Sequence, residues 1–177
     1  MEKNRFVKKF LEYGQSLLIA FVLSMVIKVT VVEAFVVPTG SMEPTIAIGD
    51  RFFSNKFIYH FRLPKEGEIV IFTPPSQATD NPSIPFVKRV IGIEGDSIEI
   101  KDEKVYVNNR PIDESYIKEH PRYHMALIQV PKDYLFVLGD NRNNSHDSHI
   151  WGLVPMQNVK AKAMFRFWPF NRIGFVS

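Results

Sequence analysis

The heptapeptide FVKRVIG, residues 86–92, sets two cations side by side inside an otherwise apolar run. Its β-branched and aromatic residues predict a strand, and successive side chains of a strand point to opposite faces of a sheet. Lys88 and Arg89 are therefore expected on different faces, with Lys88 on the face that also carries Phe86 and Val90. Because those two neighbours are apolar, the sequence predicts a lysine held away from water.

Similar β-type runs, bounded by turn residues, continue along the chain on both sides of this strand. The stretch SIEIKDEKVYVNN, residues 97–109, indicates a hairpin with Asp102 and Glu103 at its turn and alternating apolar residues on either side. The proline-rich residues 73–85 predict a loop. Together these patterns predict a mainly β, antiparallel-sheet domain. The predicted strands cover residues 51–57, 68–73, 85–93, 97–101, 104–108, 134–138 and 160–168.

Composition excludes several classes of protein. With 177 residues, of which 45% are hydrophobic, the chain is long enough and apolar enough to form a folded core, so a disordered protein is excluded. The absence of cysteine excludes disulfides, thiolate-bound zinc and a thiol nucleophile. The net charge of +3 lies in residues 1–10 and the rest of the chain is balanced, so no basic face for nucleic acid is predicted.

An apolar stretch follows this basic N-terminus. Residues 14–32 suit a transmembrane helix, which needs about 20 apolar residues, although Lys28 interrupts the run near its end. A cleaved signal peptide is the alternative, because the uncharged block 17–27 has the length of an h-region. Both interpretations place the rest of the chain outside the cytoplasm. The expected organisation is a basic cytoplasmic N-terminus over 1–12, a transmembrane anchor over 13–33, and a β-rich domain over 34–177 with a hairpin-containing insertion around 96–130.

A serine occupies a constrained turn in VPTGSMEPT, residues 37–45. Ser41 follows Gly40 and lies between Pro38 and Pro44, residues that favour turns over regular elements. A serine nucleophile needs such exposure, because a carbonyl group must approach its oxygen along a defined line, and it also needs a base. From this motif alone, Ser41 fits either a nucleophile or an ordinary turn serine.

Lys88 is the candidate base. Burial among apolar side chains disfavours the ammonium form and lowers the pKa of a lysine. A neutral amine can accept the proton of a serine hydroxyl and later return it to a leaving amine. The alternative is an edge-strand lysine whose ammonium group lies in solvent, and the strand pattern alone leaves both interpretations open.

A polar loop, LGDNRNNSHDSHIWG at residues 138–152, is dense in Asp, Asn, Ser and His. The tripeptide Ser-His-Asp at 145–147 has the residues of a catalytic triad, but three consecutive side chains diverge in direction and cannot line up. A calcium loop fails because Arg142 and Ser145 occupy positions that need an oxygen ligand and a glycine. The two histidines lack a third ligand at a metal-binding spacing. The loop is expected to brace a site elsewhere, and no metal is predicted.

Four segments, in a fixed order, resemble the type I signal peptidases, the membrane-bound Ser–Lys proteases that remove signal peptides from exported proteins. The resemblance implies an antiparallel β-sheet catalytic domain behind one N-terminal transmembrane helix, which this family retains as an anchor. The matching segments are FVVPTGSMEPTIAIGD at 35–50, KEGEIVIF at 65–72, FVKRVIGIEGDSI at 86–98 and FVLGDNRNNSHDSHIWGLV at 136–154.

The resemblance also assigns roles to the candidate residues. It makes Ser41 the nucleophile and Lys88 the general base. Ser145 would hydrogen-bond the Lys88 amine and orient it, and Asp147 would stabilise the loop that carries Ser145.

Two further roles follow from the same resemblance. Arg89 would pair with Asp140 and tie the polar loop to the strand. The oxyanion of the reaction would be held by the backbone N–H of Ser41 and by the hydroxyl of Thr39. The family usually has serine at position 39, and threonine keeps the donor while restricting its rotamers.

The chain departs from the family at two other positions. His149 stands where the family commonly has an arginine, so the partner of Asp147 would be charged only part of the time near neutral pH. Glu94 replaces a common proline, which we expect to affect only the rigidity of a turn.

Substrate and setting are implied by the resemblance as well. Preprotein signal peptides would bind in extended form by strand addition, with small residues in two shallow pockets, and cleavage would follow A-x-A type sequences. The enzyme would cross the plasma membrane once, with its N-terminus in the cytoplasm and its catalytic domain outside. Its partners would be preproteins and the lipid bilayer, without nucleic acid or cofactor, and no oligomeric state is predicted. The matching pocket positions are Phe35, Val37, Met42, Phe52 and Val87.

Two other functions are alternatives to this one. A self-cleaving Ser–Lys protein of the SOS-repressor type is expected to have a DNA-binding or partner domain and no membrane anchor. The N-terminal segment, residues 1–34, fits neither expectation. A catalytically inactive, membrane-tethered β module that binds extended peptides would not need Ser41, Lys88 and Ser145 together. The presence of all three favours the peptidase.

Overall fold

Two antiparallel sheets and two α-helices form the part of the chain that the computed structural model describes, residues 2–30 and 32–176. The helices are α1 (Glu2–Thr30) and α2 (Ser148–Trp151). The strands are β1 (Val32–Val36), β2 (Arg51–Asn55), β3 (Ile69–Phe72), β4 (Phe86–Gly92), β5 (Ser97–Lys101), β6 (Lys104–Val107), β7 (Arg110–Pro111), β8 (Met125–Gln129), β9 (Tyr134–Leu138), β10 (Val154–Pro155), β11 (Val159–Trp168) and β12 (Gly174–Phe175).

The larger sheet contains the FVKRVIG strand. Its strands follow the order β1-β2-β11-β3-β4-β9-β10, β12 pairs with β11, and all of these pairs are antiparallel. Strand β4, which is FVKRVIG, lies between β3 and β9. Lys88 is opposite Val70 of β3, and Arg89 is opposite Ile69. The two cations therefore lie on opposite faces of the sheet, as the alternation predicts.

Strand β3 shows why both faces of β4 are buried. Ile69 and Ile71 belong to one apolar cluster, whereas Val70 and Phe72 belong to another on the other face. A strand buried on both faces reads as a continuous apolar run, as IVIF does. Because β4 lies directly beside β3, Lys88 enters the interior of the protein.

The smaller sheet occupies the part of the chain predicted as an insertion, in the strand order β7-β6-β5-β8. The hairpin predicted for residues 97–109 is confirmed by β5 and β6. Asp102 and Glu103 have φ values of 49° and 59°, so both central residues adopt the left-handed conformation of a type I′ turn. Ile98 of this sheet packs in one cluster with Phe136 of β9, which joins the two sheets.

The N-terminal helix α1 is 29 residues long and covers most of the predicted basic N-terminus and anchor. It ends at Thr30, and residues 32 and 33, which the sequence places in the anchor, belong to β1. Within residues 2–30 and 32–176, no helix combines the length and the hydrophobicity needed to cross a membrane.

The seven predicted strands are confirmed to within two residues at each end, and so is the mainly antiparallel β fold. The sequence missed β1 and β8, along with the two-residue strands β7, β10 and β12. β1 was not predicted because its apolar residues directly continue the apolar N-terminal stretch and could not be distinguished from it. β8 was hidden because it is an outer strand of the smaller sheet and has no regular alternation of buried and exposed residues.

Candidate active site

Ser41 lies in a short 3₁₀ turn, Gly40–Met42, which follows β1. Two hydrogen bonds from Asn141 hold this turn. The backbone N–H of Asn141 donates to the Ser41 carbonyl oxygen at 3.1 Å, and Asn141 Nδ2 donates to the Gly40 carbonyl oxygen at 3.0 Å. Met42 is buried on the inner side of the turn. The Ser41 hydroxyl is thereby presented on a fixed turn at the wall of a cavity.

Lys88 reaches this hydroxyl from β4. Its Nζ lies 2.6 Å from Ser41 Oγ, and the whole residue is only 4% exposed. Nζ also lies 5.7 Å from the ring centre of Phe86, which places the lysine on the apolar face that alternation predicted. Burial lowers the pKa of Lys88 from 10.5 to about 8, while the carboxylates of Asp147 and Asp140 oppose that shift. A substantial fraction of Lys88 is therefore neutral near pH 8.

Arg89, on the other face of β4, forms a bidentate ion pair with Asp140. Nε donates to Oδ1 at 2.8 Å and a terminal guanidinium nitrogen donates to Oδ2 at 2.7 Å, with both side chains buried. Thr45 Oγ1 also donates to the Asp140 carboxylate, at 2.5 Å. Asp140 lies at the start of the polar segment 139–149, which we call the support loop. The ion pair thus joins the support loop to β4, and Thr45 joins it to the segment after the Ser41 turn.

Asp147 closes the support loop on itself. Its fully buried carboxylate accepts a hydrogen bond from the backbone N–H of Gly139 at 2.9 Å. It also accepts one from the backbone N–H of His149, at 3.2 Å, as the cap of α2. His149 Nδ1 lies 2.6 Å from the same carboxylate, and its ring stacks on Tyr123 at 3.9 Å between centres. The histidine therefore braces Asp147.

Ser145 differs from its expected geometry. It is 7% exposed and lines the same cavity as Ser41. Among the described residues, however, its hydroxyl oxygen has no hydrogen-bond partner, so the expected bond to the Lys88 amine is not made. Among the described residues, the side-chain hydrogen bond of the Lys88 amine is made to Ser41.

The cavity beside Ser41 and Lys88 has a volume of about 490 Å³. Val37, Met42 and Val87 line it, as expected for substrate-pocket residues. Phe35 and Phe52, the other two residues expected in the substrate pockets, are not among the residues that line this cavity. Phe52 is fully buried, since its side chain points into the cluster behind the cavity, and Phe35 stacks on it at 6.0 Å between ring centres.

The arrangement suits acyl transfer. Thr39 Oγ1 is 3.4 Å from Ser41 Oγ and is exposed at the cavity, so its hydroxyl can turn toward an oxygen that develops beside the nucleophile. The two histidines of the support loop have separate partners, His146 contacting the Ala78 carbonyl oxygen and His149 contacting Asp147. Among the described residues, no cluster of three His, Cys, Asp or Glu side chains has the geometry of a metal site.

Sequence reasoning missed Asn141 and Gly139, although both lie in the quoted loop. Asn141 holds the Ser41 turn. Gly139 lies against that turn so closely that a Cβ atom would be 2.4 Å from the Ser41 carbonyl oxygen. No fixed spacing in the sequence predicts contacts of this kind between two distant turns. The only signal was the density of turn-forming residues in the loop.

Comparison with known proteins agrees with this geometry. The model of a family described as "Signal peptidase, peptidase S26" matches residues 10–168. A probable signal peptidase I-2 of Synechocystis sp. is 43% identical over 169 residues, which is 95% of this chain and 78% of the relative. Signal peptidase I of Leptolyngbya laminosa is 43% identical over 159 residues, 88% of this chain and 78% of the relative. Thylakoidal processing peptidase 1 of Arabidopsis thaliana is 36% identical over 177 residues, 97% of this chain and 52% of the relative.

Proposed function

Because the chain belongs to the S26 signal peptidase family, we propose that it cleaves signal peptides from exported preproteins with a dyad of Ser41 and Lys88. The observation that carries this proposal is the 2.6 Å contact between Ser41 Oγ and a buried Lys88 Nζ at the wall of a cavity. A serine hydroxyl needs a base at this distance, and a desolvated lysine is a base near neutral pH.

Acylation begins when Ser41 Oγ attacks the carbonyl carbon of the scissile peptide bond. The hydroxyl proton passes to neutral Lys88 Nζ, and the carbonyl oxygen becomes an oxyanion that accepts hydrogen bonds from the Ser41 N–H and the Thr39 hydroxyl. When the tetrahedral intermediate collapses, the C–N bond breaks and the Lys88 ammonium gives its proton to the leaving amine. The mature protein leaves, and the signal peptide stays as an ester on Ser41.

Deacylation repeats these proton transfers with water. Neutral Lys88 accepts a proton from a water molecule, whose oxygen attacks the ester carbonyl, and the ammonium then protonates Ser41 Oγ as the ester bond breaks. Asp140 and Asp147 do not take a proton in this scheme. Their role is to hold the support loop against the strand of Lys88 and the turn of Ser41.

Substrate binding in extended form is supported by the edge of the larger sheet. β1 is the first strand in the sheet order, so among the described residues its outer edge has no partner strand, and it leads directly into the Ser41 turn. A peptide that adds to such an edge is held through its main chain. Val37, Met42 and Val87 then narrow the cavity, which favours small substrate side chains on either side of an intervening residue.

Tethering to the membrane is proposed for α1. Leu17, Phe21 and Leu23 of this helix are 71%, 67% and 59% exposed. Four of its five basic residues lie in its N-terminal part, within residues 3–9. Exposed apolar side chains on a helix are stabilised by lipid, and the basic end is expected on the cytoplasmic side. A tethered enzyme meets membrane-bound preproteins at a high effective concentration.

One experiment tests activity, specificity and tethering together. Membranes containing the full chain are washed with alkaline carbonate and incubated with a labelled preprotein, and the new N-terminus is sequenced. We expect activity to remain with the washed membranes and the cut to follow a small-x-small sequence. Membranes without the chain are the control. Activity released into the wash would contradict the tether, a cut elsewhere would contradict the specificity, and an uncut preprotein would contradict the proposed function.

The rate of cleavage is expected to depend on the protonation of Lys88. Its pKa is depressed to about 8, so the neutral base predominates above that pH and is lost as the pH falls below it. Since the rate follows the neutral fraction, kcat/KM should be about a hundredfold lower at pH 6 than at pH 9. Initial rates on a peptide substrate across this range measure it. A rate that stays flat down to pH 6 would mean that another group acts as the base.

A further inference from the structure

A segment without helix or strand, residues 113–123, connects β7 to β8 of the smaller sheet and lies against the support loop. We call it the strap segment. Its backbone makes three hydrogen bonds with the support loop, donating two and accepting one. Lys118 N–H donates to the Asp140 carbonyl oxygen at 3.3 Å, and Arg122 N–H donates to Asn143 Oδ1 at 2.8 Å. Asn143 Nδ2 returns a bond to the His120 carbonyl oxygen at 2.9 Å. The strap segment therefore follows the support loop over much of its length.

A buried ion pair adds to these hydrogen bonds. The Arg142 guanidinium of the support loop contacts the Glu114 carboxylate of the strap segment, and their side chains are 0% and 5% exposed. Among the described residues, Glu114 provides the one carboxylate within ion-pair distance of Arg142. Removing one partner of such a pair leaves a buried charge without compensation, which is strongly unfavourable. The position of Arg142 therefore depends on Glu114.

Tyr116 adds an aromatic face to the same contact. Its ring centre is 3.9 Å from the guanidinium carbon of Arg89 and 6.0 Å from that of Arg142. Cations at these distances are attracted to the face of an aromatic ring. Tyr116 thus contacts the two arginines that hold the support loop, one to β4 and the other to the strap segment.

Arg142 connects these contacts to the nucleophile. Its Nε donates to the Gly139 carbonyl oxygen at 3.1 Å, which closes the turn that contains Asn141. Asn141 in turn holds Ser41 and Gly40 through the hydrogen bonds described above. A displaced Arg142 would shift Asn141, and with it the Ser41 turn relative to Lys88. A displacement of about 1 Å in a catalytic group can cost about a hundredfold in rate.

From these contacts we propose that the strap segment positions the support loop for catalysis, and that Glu114, acting through Arg142, is its principal positioning residue. Glu114 touches neither the substrate cavity nor the Ser41–Lys88 pair. Its effect should therefore appear in the chemical step and leave substrate binding unchanged. This inference rests on the proposed Ser41–Lys88 mechanism.

The test compares kcat and KM of the full-length protein and two variants on a peptide substrate, at a temperature below the melting transition of each. In Glu114→Gln, which keeps the shape of the side chain but removes its charge, kcat should fall at least about tenfold with KM within about twofold of the wild type. Tyr116→Leu removes the aromatic face without leaving a buried charge, and its kcat should fall in the same direction. Glu99→Gln is the control, because Glu99 pairs with Lys101 within the smaller sheet and makes no contact with the support loop among the described residues.

Each outcome decides the proposal. A fall in kcat at constant KM in the two strap variants, with Glu99→Gln unchanged, supports a positioning role. If Glu114→Gln does not fold, the kinetics of Tyr116→Leu alone decide the proposal. Wild-type kcat in the folded variants, or a rise in KM in place of a fall in kcat, would overturn the proposal. A wild-type protein without peptidase activity would instead contradict the proposed function.

Discussion

Replacing Lys88 with methionine is expected to reduce peptide cleavage at least about a thousandfold. Methionine is similar in length and apolar, so it should fill the same buried space and leave the walls of the cavity in place. What it removes is the amine that lies 2.6 Å from Ser41 Oγ, and without it no group is placed to accept the hydroxyl proton. Initial rates on a peptide and on a preprotein measure the effect.

The matched controls separate the loss of the base from a loss of folding. Ser41→Ala should be as inactive as Lys88→Met, and the double variant should be no worse than either, because the two residues act as one unit. Lys160→Met, at an exposed lysine of β11, should keep wild-type activity. A Lys88→Met protein within about tenfold of wild-type activity would refute the dyad.

Adding a single methyl group at Gly139 is expected to lower kcat by about a hundredfold. A Cβ at this position would lie 2.4 Å from the Ser41 carbonyl oxygen and 2.2 Å from Ser145 Oγ. The serine hydroxyl can rotate away, but the carbonyl oxygen belongs to the backbone of the nucleophile turn. Alanine at 139 should therefore push the support loop and the Ser41 turn apart.

Steady-state kinetics and thermal melting together check the Gly139→Ala variant. Gly174→Ala is the control, since a Cβ at Gly174 would have no atom within 4 Å and should change neither measurement. A Gly139→Ala protein that melts and cleaves like the wild type would show that the support loop relaxes without moving the nucleophile. The packing argument for this position would then be wrong.

Strand alternation and apolar context predicted the centre of the site. A period of two residues is enough to separate Lys88 from Arg89, and the apolar neighbours of Lys88 indicate its burial. The pairing of Lys88 with Ser41 is different, since 47 residues separate them and no local rule joins them. That pairing came from the order of four motifs and the resemblance they carry.

Long-range packing explains what the sequence did not predict. Phe52 was expected in a substrate pocket, and its ring is fully buried in the apolar cluster on one face of the sheet. Glu114 and Tyr116 lie in a segment without periodicity, so their contacts with the two arginines have no signature in the sequence. The orientation of Ser145 likewise depends on atoms from distant parts of the chain.

Burial of Lys88 also has a consequence for heat resistance. Its pKa is about 8 in the folded protein and 10.5 when exposed, so folding is less favourable at every pH at which an exposed lysine would be charged. This cost is largest below about pH 8, on the order of 3 kcal/mol, and disappears above pH 10.5. Lys88→Met should therefore melt at a higher temperature than the wild type at pH 7, and this advantage should shrink toward pH 10. The charge that the proposed base loses on folding thus lowers the stability of the fold, so stability and the proposed catalysis place opposite demands on position 88.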